Sequence, residues 1–145
     1  MKKTVILAIC ILALLLCGCQ KVEQNLMETT NHQTVTFVNG IREADVWILP
    51  QTQENLKTTV WGTATISKVK TGETRQAPLC EPGEYGLYLL RMIDTDGFFY
   101  SANGVTLHDG WTIKINEDAV ASVIVEVSDE NGVLQNTYEG FSARL

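Results

Sequence analysis

Polar and apolar side chains alternate along much of this chain, and that alternation constrains the fold more than any other feature. Trp111-Thr112-Ile113-Lys114-Ile115 keeps a period of two, and Ala121–Val127 does the same with Ile124 as the exception. Successive side chains of a strand point to opposite faces, so this period sets one apolar face against a core. Val35 and Phe37 share a face near the start, and Val46 and Ile48 share one within Ala44–Leu49. Tyr85–Ile93 is apolar on both faces, as a central strand covered on each side should be. Asp96-Gly97, Asn103-Gly104, Asp109-Gly110 and Asn131-Gly132 fall between these runs. Asx-Gly pairs are what tight hairpin turns demand. Beyond residue 19 no segment spaces apolar residues by three and four over ten positions, which excludes a helical fold. The expected fold is all-β, a single small antiparallel β-sandwich (Ig-like or a small barrel) over residues 34–145. Short helical turns are expected only near Glu54–Lys57 or Glu117–Ala119.

The chain has 145 residues, of which 45% are hydrophobic, enough for one ordinary domain. Its formal charge of −6 argues against a nucleic-acid partner, which needs a Lys/Arg footprint. The N-terminus has a different character. Met1-Lys2-Lys3 precedes an apolar run from Val5 to Leu16, and Leu16-Cys17-Gly18-Cys19-Gln20 closes it. Val5–Cys19 would span about 22 Å as a helix, against about 30 Å of bilayer hydrocarbon. The layout is that of a secretory signal peptide. Gly18 supplies the compact side chain that a signal peptidase accepts just before a cut, which places the cut before Cys19.

Leu16-Cys17-Gly18-Cys19 resembles the lipobox of bacterial lipoproteins. The resemblance implies diacylglycerol on the Cys19 thiol, cleavage between Gly18 and Cys19, and acylation of the new amino group. The expected organisation is a signal peptide (1–18), a lipidated cysteine with a flexible polar tether (19–33), and the β-sandwich domain (34–145). The expected location is extracytoplasmic, anchored to a bacterial membrane by lipid, because two or three acyl chains hold where one is marginal. Cys10 and Cys17 leave with the leader and Cys19 carries lipid, so Cys80 has no thiol left to pair with.

Phe37-Val38-Asn39, Trp47-Ile48-Leu49-Pro50, Trp61-Gly62, Asp94-Thr95-Asp96-Gly97 with Tyr100, Gly104–Leu107 and Thr112–Ile115 are similar to a loosely defined set of secreted bacterial β-sandwich domains. That likeness implies the fold and leaves function open. Ile93-Asp94-Thr95-Asp96-Gly97 is echoed by Ser128-Asp129-Glu130-Asn131-Gly132, which reads as two similar hairpins or as a duplication.

The inventory for catalysis is thin. His32 lies in the tether and His108 in a turn, and Leu79-Cys80-Glu81 carries no cation to activate its thiol. Too few His and Cys remain for zinc, and the Asp94 and Asp129 turns lack the ligand spacing of a calcium loop. No phosphate-binding loop is present. No cofactor, metal or catalytic residue is therefore expected. The candidate site is aromatic. If Val46 and Ile48 face inward, Trp47 faces outward; if Val60, Ala64 and Ile66 form the apolar face of a strand over 58–66, Trp61 lies on the other. The pair would make a platform for a sugar ring, a peptide or a partner protein. Packing beneath another layer is the ordinary outcome for aromatics this large. Trp111 aligns with the core. The expected function is a non-catalytic binding or structural module at the cell envelope, with an envelope protein or glycan as partner. An inhibitor of an extracellular enzyme, using a loop at 50–57 or 67–84, and a small cell-envelope hydrolase are the alternatives.

Overall fold

A computed structural model describes residues 33–117 and 122–144. The expectations for the signal peptide, Gly18, Cys19, the tether and His32 fall outside these residues. The described residues form nine strands: β1 (Thr34–Asn39), β2 (Ala44–Pro50), β3 (Ile66–Val69), β4 (Thr74–Pro78), β5 (Leu87–Asp94), β6 (Phe98–Thr106), β7 (Thr112–Glu117), β8 (Val123–Ser128) and β9 (Leu134–Arg144). One short helix, α1 (Gln53–Lys57), follows β2, capped by Thr52, whose hydroxyl accepts from the amide of Asn55.

The strands hydrogen-bond in the order β3-β2-β5-β6-β9-β8-β7-β1-β4, a nearly closed sheet folded into two layers. β9 belongs to both. Residues from Leu134 to Gly140 pair with β8 in the back layer, and residues from Phe141 to Arg144 pair with β6 in the front layer. All ladders are antiparallel except β1–β7, which is parallel. β3 and β4 end the order and are joined by a tight turn, in which the amide of Gly72 donates to the carbonyl of Asn39 at 2.6 Å.

The all-β expectation holds, and the alternation fills the core as it should. Val35, Phe37, Val46, Ile48, Leu90, Met92, Ile113, Ile115, Val123, Val125 and Val127 are all buried between the layers. Trp111 packs half-buried against them. Three expectations need correction. Asn103-Gly104 is no turn: it lies inside β6, where the register against β5 slips between Tyr88 and Leu90 and Gly104 takes a φ of 68°. Residues 58–65 form no strand, because the Thr58 hydroxyl accepts from the Val60 amide and bends the backbone before β3 begins at Ile66. Segment 67–84 is no long loop, since it contains most of β3 and all of β4.

Candidate functional site

The two layers differ on their outer faces. The back layer presents Thr36, Gln76, Lys114, Glu126 and Thr137, an ordinary solvated surface. The front layer presents Trp47, Arg91, Ser101 and Phe141 in one row across β2, β5, β6 and β9. A second row runs Asp45, Ile93, Phe99 and Ala143. Alternation places these residues outward because their neighbours Val46, Leu90, Met92 and Tyr100 point into the core.

Trp61 comes back over this face from the segment after α1. Its ring meets Trp47 edge-on at 5.6 Å and stacks on Phe99 at 5.4 Å with 13° between planes. Trp47 and Phe99 lie on the strands flanking β5, so Trp61 bridges across that strand. Leu89 and Arg91, although they point outward, are buried at 0% and 6% exposure. The sequence places Trp47 and Trp61 on one outer face, and they meet there, but Trp61 arrives on a loop rather than a strand. Both rings are half-buried. Their indole N–H groups are spent on the same loop: Trp47 Nε1 donates to the Gly62 carbonyl and Trp61 Nε1 to the Thr58 carbonyl, each at 3.1 Å. Neither indole is left to bond a ligand.

The remaining chemistry sits elsewhere. Cys80 is exposed, and partial desolvation of its thiol, aided by the Glu81 charge, pushes its pKa up, away from nucleophilic character. His108 lies edge-on to Trp111 at 4.5 Å. Asp94 is occupied by its own turn: Oδ1 accepts from the amides of Asp96 and Phe98, and Oδ2 from the Tyr100 hydroxyl.

Sequence reasoning missed three residues of the face. Phe99 and Phe141 stand in short runs whose alternation was legible only once Tyr100 was known to point inward. Arg91 carried its own signal, a single cation in the apolar run Leu89-Leu90-Arg91-Met92-Ile93. Burial lowers its guanidinium pKa. No family model matches the chain, and no curated protein or solved structure matches it.

Proposed function

We propose that this protein is a lipid-anchored, extracytoplasmic lipoprotein whose β-sandwich is a non-catalytic binding module for an envelope component. One observation carries the reading: the outer face of the front layer holds three clustered aromatic rings, Trp47, Trp61 and Phe99, and an exposed Phe141, while the back layer is covered by Thr, Gln, Lys and Glu. Phe141 is 63% exposed, a large apolar side chain on β9, the last strand of the front layer's row. The strand edges offer less. β4 ends in Pro78 and turns Arg75 to the inner side at the seam, while β3 is only four residues long and bulges at Lys68, whose φ is 52°. Short edges, inward charges, prolines and bulges all discourage strand addition.

A photo-crosslinking amino acid at position 141, compared with one at the exposed back-layer position 137, tests this in intact cells. The expected result is covalent adducts at 141 and none at 137. Equal labelling at both positions, or none at 141, would overturn the reading.

A further inference from the structure

The exposed large apolar side chains are not spread evenly over the body. Val60 lies beside Trp61 and Phe141 on the front face, but Leu56, Tyr85, Val133 and Leu134 lie at one end, where β1, β5, β7 and β9 begin and β2, β4, β6 and β8 finish. Thr36, Thr112, Ser128 and Leu134 stand in register across β1, β7, β8 and β9, which sets the β8–β9 hairpin near the start of β1. The turn before β7 joins the two: the Thr34 amide donates to Asp109 Oδ1 and the Gly110 amide to the Thr34 carbonyl, each at 2.8 Å, and a Cβ on Gly110 would meet Glu130 Cβ at 3.7 Å. Tyr85 stands in the turn that leads into β5, whose first residue, Leu87, pairs with Thr106 at the end of β6. It is 92% exposed at a φ of 59°, a conformation that bulky residues avoid. The Glu84 amide, donating to the Gln51 carbonyl, and the Gly83 amide, donating to the Leu87 carbonyl, hold it there. At the opposite end the described loops, 40–43, 70–73 and 95–97, expose Arg42, Lys70 and Asp96 and no large apolar side chain.

The apolar end is also where the chain enters the body. The Gln33 carbonyl accepts from the Leu79 amide at 2.8 Å, next to the pairing of Thr34 with Pro78. Residues 20–32 separate Gln33 from Cys19, a reach of at most about 45 Å. Three side chains on two loops are too few to hold a free protein on a bilayer. A linker that short keeps them near it, so a weak contact becomes an intramolecular one. Aliphatic side chains and a tyrosine with its polar tip match the boundary between headgroups and acyl chains. The same loops carry Glu84, Asp109 and Glu130, which are repelled by an anionic surface and tolerated by a zwitterionic one.

We propose that this end of the sandwich rests on a zwitterionic lipid surface through Tyr85, Val133 and Leu134, leaving the front face clear for its partner. The inference goes beyond the front-face reading and rests on the lipid anchor at Cys19. The lipidated protein, carrying Cys80→Ser and one new thiol for a fluorescent dye, is reconstituted into phosphatidylcholine vesicles that contain a spin-labelled lipid. Asn131→Cys puts the dye in the β8–β9 hairpin, and Lys70→Cys puts it at the opposite end. Quenching at position 131 is expected to exceed that at position 70 several-fold. Val133→Ser combined with Leu134→Ser should bring it down to the level at position 70 while the protein still floats with the vesicles, and Tyr85→Ser should lower it in part. The comparison of positions 131 and 70 needs none of these apolar variants, so it decides alone if they fail to fold. Equal quenching at the two positions, or quenching at 131 that survives the apolar variants, would overturn the inference. So would shielding of position 131 in native membranes only, which would assign this end to a protein partner. Phosphatidylglycerol in the vesicles should weaken the contact at low salt, and a tighter contact would overturn the choice of lipid. A protein that fails to float with the vesicles would sink the anchor reading and this inference with it, whereas a floating protein without the quenching difference would sink this inference alone.

Discussion

Asp94 and Asp129 do the same work in two hairpins. Each carboxylate accepts from the amides two and four residues ahead, Asp96 and Phe98 in one turn and Asn131 and Val133 in the other. The repeated Asp-x-x-Gly pattern in the sequence is therefore turn chemistry, and it was legible because a side chain bonding its own backbone needs no tertiary context. The difference lies in burial. Asp94 is 5% exposed and also accepts from the Tyr100 hydroxyl at 2.9 Å, whereas Asp129 is more open. Asp94→Ala should cost about 3 kcal/mol and Asp129→Ala about 1 kcal/mol in urea unfolding, since unmade bonds to buried donors cost most. Tyr88, together with the buried Tyr100 whose pKa desolvation and the Asp94 carboxylate also raise, supplies an alkaline pH dependence. The Tyr88 hydroxyl donates to the Cys80 carbonyl at 2.8 Å, and burial, with the nearby Cys80 and Glu81, pushes its pKa up to about 12. The unfolded phenol ionises near pH 10, so its contribution is complete below about pH 10 and is lost as the pH rises toward 12. The melting temperature should fall across that window, and Tyr88→Phe should flatten the fall.

At the scale of elements, β9 holds the architecture together by leaving one layer and entering the other at Gly140. A Cβ there would lie 3.0 Å from the Ser101 carbonyl oxygen and 3.2 Å from Val123 Cβ, so the strand crosses at its tightest point where the side chain is smallest. Gly140→Val should cost about 2 kcal/mol through overpacking, read as a lower urea midpoint at unchanged slope. The crossing could not be read from the sequence: Tyr138-Glu139-Gly140-Phe141 alternates smoothly, and nothing local says that the pairing partner changes. After β2 the helical turn near Glu54–Lys57 was legible and appears as α1, but residues 58–65 were not, for a different reason. Their Thr and Val residues favour strand, but the Ile48 amide donates to Thr65 Oγ1 and Trp47 Nε1 to the Gly62 carbonyl, so these residues seal the free edge of β2. Long-range edge protection overrides local propensity. Trp61 anchors that cover. Trp61→Ala should cost about 1 kcal/mol and raise amide exchange most in residues 53–62, leaving β5 and β8 protected.

The described residues form a two-layer body with one seam, one aromatic face and one polar face. The seam is guarded from both sides, by the Lys68 bulge and by Arg75 with Pro78, so association through the edges is disfavoured. Arg75→Val should remove the inward charge and produce concentration-dependent association in sedimentation. The inner faces of β1, β2, β7 and β8, and the outward Trp47, were readable because burial on one face writes a period of two into the sequence, whereas β3 and β4 were not. The parallel β1–β7 pair was not, because register between distant strands depends on how the layers close. Display of this body outside the cell is the claim on which its role depends, and it rests on Gly18-Cys19 at the end of the apolar leader. The intact mass of the protein extracted from membranes tests it most directly. A chain beginning at Cys19 and carrying diacylglycerol with a further acyl group is the predicted species; an unmodified chain of 16.1 kDa beginning at Met1 in the cytosol would contradict it.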